Sequence, residues 1–255
     1  MAPDEPTSGT PSAPTPPPMR AADPSRPSAE GGFSPPPRSR LLLIVGSFVA
    51  LLACLLVFGA IADDVHEQEA NALDALLTPL LHSWSSPTLD AVMNAFTDLG
   101  STLVVLPLLV ATLVLLVWRR HRTAALFLLV AMVGSVALNE SLKLIFHRPR
   151  PQLSWARVQP EYSFPSGHAM NSLVFYVALA LIVGVLWGRR AGVASMVVAI
   201  VLVLLIGTSR IYLGYHYFTD VVGGVLAGAA WLVIVIAAFG GGAWRRLPAH
   251  GATVP

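Results

Sequence analysis

Cysteine is almost absent from this chain. Cys54 is the single cysteine in 255 residues, so no intrachain disulfide can form and no cysteine-based metal centre is credible. Charge is scarce too. Asp, Glu, Lys and Arg make up 12% of the residues, about half the share of a soluble domain, and Lys143 is the one lysine. With 55% apolar residues and a mean hydropathy of +0.66, too little polar surface remains to cover a water-soluble globule. That excludes a cytosolic enzyme, a nucleic-acid module and a coiled coil. The net charge of +2 rests on a small arginine excess, which reads as membrane topology rather than nucleic-acid binding.

What is present comes in blocks. Residues 1–40 hold twelve of the 21 prolines, and four arginines (Arg20, Arg26, Arg38, Arg40) balance four acids there. Such a segment cannot bury enough apolar surface to offset its ordering entropy, so a disordered Pro-rich cytoplasmic tail is expected. It does not read as a signal peptide, because the apolar run from Leu41 outlasts an h-region. Six apolar stretches follow, at about 41–62, 98–118, 123–146, 169–187, 191–208 and 219–239. Each is near the roughly 20 residues that a membrane span needs, and in hydrocarbon each must be helical to satisfy its own backbone. The expected fold is all-α: a polytopic membrane protein with six transmembrane helices over 41–240, then a short cytoplasmic tail at 241–255.

Basic clusters set the orientation. Arg38 and Arg40, then Arg119, Arg120 and Arg122, then Arg189 and Arg190, then Arg245 and Arg246 all fall on one side of six crossings. The positive-inside rule makes that side cytoplasmic, with both termini. Trp118, Trp187 and Trp244 sit beside these clusters as interfacial anchors. The first outer loop, 63–97, carries acids (among them Asp63, Asp74 and Asp90) and no Lys or Arg. Leucines at 73, 76, 77, 80 and 81, then Leu89, Val92, Met93 and Phe96, have helical spacing. Two short amphipathic helices on the outer membrane surface are expected, with Pro79 and Pro87 bounding the break. They serve either as a cap over the bundle or as a substrate guide.

Two outer segments oppose the charge trend. One carries Lys143, Arg148, Arg150, Arg157 and His168; the other carries Arg210, His216 and Asp220. A bound anion supplies a reason for positive charge there. Lys143 ends a helix that Pro149 and Pro151 stop, so Arg150 comes from a bent loop able to turn back over it. Pro165-Ser166-Gly167-His168 precedes the fourth span. Ser is a good N-cap, Gly admits close approach, and a helix N-terminus offers free amides to an anion. His216 and Asp220 are one helical turn apart and can face each other, and a carboxylate on one ring nitrogen frees the other for attack. Cations, helix-end amides and two histidines are the parts that phosphoryl transfer needs. No Asp/Glu/His metal cluster is visible in the sequence, so a metal-free mechanism with no cofactor is expected.

These residues carry a resemblance. Lys143-x6-Arg150-Pro151, Pro165-Ser166-Gly167-His168 and Ser209-Arg210-x5-His216-x3-Asp220 resemble the three motifs of the type 2 phosphatidic acid phosphatase superfamily, which includes the vanadium-dependent haloperoxidases. The likeness covers about 60–240. Phe218 departs from it, since relatives often have Pro after the His-Tyr pair, so the start of the last helix is open to change. The resemblance implies that His216 attacks phosphorus and that Asp220 orients it. His168 protonates the leaving oxygen and then activates water, while Lys143, Arg150, Arg210, Ser166 and the Gly167 amide hold the phosphoryl oxygens. It implies an integral-membrane phosphatase acting on a lipid phosphate or pyrophosphate at the extracytoplasmic surface. A lipid phosphotransferase sharing the same intermediate, an anion transporter and a vanadate-dependent haloperoxidase are the competing readings. Lipid phosphate and membrane lipids are the expected partners, with no nucleic acid; the headgroup and the oligomeric state are not legible.

Other residues read more plainly. Arg148 and Arg157 read as loop charges or headgroup contacts, and His147 as a loop histidine. Glu140, three residues before Lys143, needs a partner, since an unpaired charge at a helix centre costs about 2.5–3.5 kcal/mol; it and Asn139 read as structural. His66, His82, His121 and His250 have no spacing partner. Ser209 reads as a turn cap or a ligand contact. Gly223, Gly224 and Gly228 read as close-packing positions.

Overall fold

The computed structural model describes residues 38–67, 72–156 and 160–240. Of the expected Pro-rich tail only residues 38–40 are described, and they open the first helix rather than remaining disordered; the rest of that tail, Arg157, Trp244, the Arg245–Arg246 cluster and the expected tail at 241–255 lie outside the described residues. Among the described residues eight helices run in order: α1 Arg38–His66, α2 Ala72–His82, α3 Pro87–Leu99, α4 Thr102–Trp118, α5 Arg122–Phe146, α6 Gly167–Trp187, α7 Arg189–Tyr212 and α8 Phe218–Gly240. Five of them (α1, α5, α6, α7, α8) are long and apolar enough to cross a membrane, and the bent pair α3–α4 brings the number to six if it is counted as one broken span. Apolar side chains are exposed along them, as with Phe48, Leu103, Val114, Leu144 and Leu204 at 64%, 87%, 64%, 65% and 63%. In water such a girdle would be an aggregation surface; in lipid it is the solvated face. Trp118 and Trp187 stand exposed beside the basic clusters, where interfacial anchors belong.

The second span differs from its expected limits. The helix breaks at Gly100–Ser101, with α3 and α4 bent by 42°, and α4 alone has 17 residues, about 26 Å of helix. Gly100 sits where a Cβ would lie 2.6 Å from Ile206 and 2.8 Å from the Ser172 hydroxyl, so only glycine lets the bend seat against α6 and α7. Pro79 also departs from expectation. It lies inside α2, whereas Pro87 opens α3 behind the N-cap Ser86, whose hydroxyl accepts from the Leu89 N–H at 3.2 Å, a position suited to a residue without an N–H.

The outer helices cap the bundle: α2 packs against α7 and α8, and α3 against α7. Helix α6 is the hub, touching α5, α7 and α8, and its Val174, Phe175, Ala178 and Ile182 are buried with Phe127 and Leu128 of α5. The expected close packing at Gly223, Gly224 and Gly228 is present, since a Cβ at each would meet Phe164, the Ser166 carbonyl and the Met170 carbonyl. Trp231 donates from its indole to the Ala131 carbonyl at 2.9 Å, tying α8 to α5.

Candidate active site

Four helix ends meet at one end of the bundle: the C-termini of α5 and α7 and the N-termini of α6 and α8. The connection after α5 folds back on itself. Ser163 donates from N–H to the Arg148 carbonyl at 2.9 Å and from its hydroxyl to the Pro149 carbonyl at 3.1 Å. The Arg150 Nε donates to the Glu161 carbonyl at 2.7 Å. The turn after α7 passes through Gly214 in the left-handed region (φ 72°) and brings the Tyr215 and His216 amides back to the Arg210 carbonyl at 3.0 and 3.2 Å.

These turns surround a cavity of about 600 Å³, and its walls include Lys143, Arg150, Gly167, His168, Arg210 and His216. Both imidazoles and all three expected cations thus reach one space. Each cation is held before any ligand is considered. Lys143 Nζ lies 3.1 Å from Glu140 Oε1 and 2.9 Å from Glu161 Oε2. Arg210 donates through NH1 to Thr97 Oγ1 at 2.8 Å and stacks 4.4 Å over the Tyr215 ring, while its buried Nε has no partner. Arg150 donates through NH1 to the Tyr215 carbonyl at 2.8 Å and to His216 Nε2 at 3.1 Å.

His216 is 1% exposed and Asp220 fully buried. Arginine has no acceptor, so the Arg150 contact makes Nε2 the lone-pair nitrogen and puts the proton on Nδ1. That Nδ1 faces Asp220 Oδ2 at 3.3 Å, and Oδ2 also accepts the Tyr217 N–H at 2.9 Å. Burial, then the charges of Arg210, Arg150 and Lys143, push the His216 pKa well below its ordinary value. Burial also lowers Arg150 against the opposing pull of Glu161 and Asp220. The hydrogen bond and charge of Lys143 hold Glu161 below the usual carboxylate range.

Ser166 and Asp220 stand behind the cavity rather than on its wall. Ser166 is the N-cap of α6, but its side chain makes no capping bond and its buried hydroxyl has no partner; its N–H donates to the Asp220 carbonyl at 2.9 Å. Phe218 itself begins α8. Glu140 pairs with Lys143 as a structural partner should, and buried Asn139 donates to the Pro165 carbonyl at 3.2 Å. Ser209 is buried and donates within α7 to Ile206. His147 ends α5 in the left-handed region (φ 47°) and packs against Tyr162.

Arg148 is the correction. It is not a loop charge: its side chain is 13% exposed and lies 2.6 Å from Asp220 and 2.8 Å from Asp74. Those carboxylates outweigh the cost of burial and raise its pKa. Asp74, Thr97, Glu161 and Thr219 were not picked out by the motifs either. The one local signal is the Arg148-Pro149-Arg150-Pro151 doublet, which places two arginines at the same turn.

The chain is similar to membrane phosphatases of known kinds. Phosphatidylglycerophosphatase B of Bacillus subtilis is 29% identical over 186 residues, 72% of this chain and 92% of the relative. An undecaprenyl-diphosphatase of Sulfolobus acidocaldarius is 29% identical over 154 residues, 57% of this chain and 68% of the relative. The crystal structure of a transmembrane PAP2 type phosphatidylglycerolphosphate phosphatase from Bacillus subtilis superposes with a TM-score of 0.66 at 28% identity, over 74% of this chain and 94% of that one. The family model for the PAP2 superfamily matches residues 124–242, the stretch that supplies both imidazoles and every cation of the cavity.

Proposed function

We propose that this protein is an integral-membrane hydrolase of a lipid phosphate monoester or diphosphate, working through a phosphohistidine and without a metal ion. The observation that carries the reading is the two-sided cavity. Beyond the cations and imidazoles, its wall continues along α4 and α5 as Val105, Leu106, Leu109, Met132, Val133 and Val136. A phosphate with an apolar tail fits both halves at once, which a soluble phosphate ester does not. The relatives named for phosphatidylglycerophosphate and undecaprenyl diphosphate support the same substrate class.

In the first step the His216 Nε2 lone pair forms a bond to phosphorus, and the ester oxygen leaves with its electron pair and takes a proton from His168. The imidazole becomes cationic, facing Asp220. In the second step His168 removes a proton from water, the new P–O bond forms and the P–N bond breaks. Phosphate departs and His216 is restored. Lys143, Arg150, Arg210 and the amide of Gly167 hold the non-bridging oxygens. The three side-chain cations supply the charge neutralisation that a metal ion supplies elsewhere.

The site faces the extracytoplasmic side in this reading. Arg119, Arg120 and Arg122, with Arg189 and Arg190, lie at the far ends of α5, α6 and α7 from the cavity, roughly 35 Å away along the helices. Positive charge marks that end as cytoplasmic.

The test is phosphate release in detergent from purified dioctanoyl phosphatidic acid, phosphatidylglycerophosphate and a polyprenyl diphosphate, with chelator present and no added acceptor. Release from at least one, abolished in His216→Ala and His168→Ala, is expected. Activity only after an acceptor lipid is added would make the protein a phosphotransferase, and normal turnover by His216→Ala would end the reading.

A further inference from the structure

Asp220 has two oxygens, and only one serves His216. Oδ2 faces the imidazole and the Tyr217 amide. Oδ1 accepts from Arg148 NH1 at 2.6 Å, with the Ser163 hydroxyl at 3.5 Å. The other arm of the same guanidinium, NH2, reaches Asp74 Oδ2 at 2.8 Å. Asp74 belongs to α2 and is 5% exposed. It accepts the Thr219 amide at 2.8 Å and the Thr219 hydroxyl at 2.6 Å, on the first turn of α8. Tyr217 closes the set, its ring 4.2 Å from the Arg148 guanidinium. Three segments far apart in sequence thus converge behind the histidine.

We propose that Arg148 and Asp74 are positioning residues for His216, acting through Asp220: the fork of Arg148 locks Asp220 Oδ1 so that Oδ2 stays aimed at Nδ1, and Asp74 locks the fork. The inference rests on the phosphohistidine reading above. Charge gives the arrangement its purpose. On the Nδ1 side of the ring two carboxylates share one guanidinium, so that side is negative while Arg150 stands on the Nε2 side. The negative side is matched when His216 becomes cationic on bonding phosphorus. The network therefore favours the state that forms during reaction over the state before it, which is the kind of interaction that raises kcat rather than lowering KM. Helix α2 thereby acquires a role beyond capping, because it carries one residue of the device.

The experiment measures kcat, KM and inhibition by inorganic phosphate on dioctanoyl phosphatidic acid in detergent, for native protein, Arg148→Gln, Arg148→Lys, Asp74→Asn and the double variant Asp74→Asn/Arg148→Gln. Removing the outer partner of a working histidine costs about 10–100-fold. Losses of that size are expected in kcat, with KM and the phosphate inhibition constant within about threefold, since the cavity cations are untouched. Arg148→Lys recovers part of the loss, having one point charge for two carboxylates. The double variant falls no further than Arg148→Gln alone, because the two act as one unit. Should Arg148→Gln fail to give a monodisperse peak, Asp74→Asn and Arg148→Lys decide by the same constants. Native-like kcat in the folded variants, or losses confined to KM and phosphate binding, would overturn the positioning role and leave the proposed function standing. Absence of any hydrolysis by native protein, on this and the other lipid phosphates, would remove both.

Discussion

Arg150 NH1 and His216 Nε2 lie 3.1 Å apart, so a guanidinium of the cavity wall points at the nitrogen assigned to attack. A phosphoryl group entering between them meets its cation and its nucleophile along one line. Arg150 is itself fixed by two backbone carbonyls, those of Glu161 and Tyr215. Lysine cannot reproduce that fork. Arg150→Ala is expected to lower kcat/KM by about 10²–10³-fold, the scale of losing one preorganised donor, and Arg150→Lys to recover little of it. Steady-state phosphate release is the measurement.

The pH dependence follows from the buried ring. Burial and the neighbouring Arg210, Arg150 and Lys143 hold His216 well below its usual pKa, with Asp220 on its other nitrogen. The attacking nitrogen is therefore unprotonated in mildly acid solution, and kcat/KM shows no acid limb from this ring at about pH 6.5. Stability has the opposite look. Below that pH the unfolded chain binds a proton that the native ring does not. The ring's contribution is complete above about pH 6.5 and is lost as the pH falls below it. Glu161, also depressed, has the same sign but acts only near the lower carboxylate range, about pH 4. Thermal unfolding in detergent should give a lower Tm at about pH 5.5 than at 7.5, and His216→Gln should narrow that gap.

Much of this was legible in the chain because the signals are local. Apolar runs longer than a soluble helix needs mark six spans, five of which are single helices long enough to cross, and i to i+4 spacing puts His216 beside Asp220. The misses are the non-local relations. Asp74 looked like one acid among several in an acidic loop, and Arg148 like a spare charge, because their contact joins positions 74 residues apart. No periodicity links them; only the docking of α2 onto α8 does. The break at Gly100 was hidden for a similar reason, since hydropathy continues across it while the bend answers to Ile206 and Ser172.

Glu161 is expected to compete with a bound phosphoryl group. Its Oε2 sits 2.9 Å from Lys143 Nζ and 3.9 Å from Arg150 NH2, where a phosphoryl oxygen would bind, yet its side chain is 63% exposed. Only the Glu161 side of the pair is open, Lys143 being 8% exposed; an exposed pair is worth about 0.2–1 kcal/mol, and losing the solvated partner frees the cations at a cost of that order. Glu161→Gln is expected to strengthen inhibition by inorganic phosphate and by vanadate about two- to fivefold, the same energy expressed as a ratio. Unchanged or weaker inhibition would mean that the anion does not use Lys143.

Orientation can be read with a single thiol. Cys54, the one native cysteine, is replaced by serine, and a cysteine is placed at exposed Ser154 beside the cavity or at exposed Arg119 at the opposite end. In intact cells a membrane-impermeant maleimide is expected to label Ser154→Cys and to reach Arg119→Cys only after lysis. The reverse pattern would turn the site toward the cytoplasm.

Gly224 of α8 lets that helix seat against the start of α6, which carries His168, while the turn before α8 carries His216. A Cβ at Gly224 would lie 2.6 Å from the Ser166 carbonyl and 3.3 Å from both the Ala169 Cβ and the Met170 N. A backbone carbonyl cannot rotate away as a side chain can, so Gly224→Ala must push the helices apart. The shift strains the bond from the Ser166 N–H to the Asp220 carbonyl and carries Gly167 and His168 away from His216. Overpacking of this kind costs about 1–3 kcal/mol, and a misplacement near 1 Å about 10²-fold in rate. Gly59 is the control: it lies in α1, where an added Cβ meets nothing within 4 Å. Gly59→Ala should leave activity unchanged and raise stability by up to about 1 kcal/mol through helix propensity. Tm and kcat measured on both variants separate a local clash from a general intolerance of added methyl groups. Equal behaviour of the two would show that the contact between α8 and the Ser166 carbonyl does not govern the site.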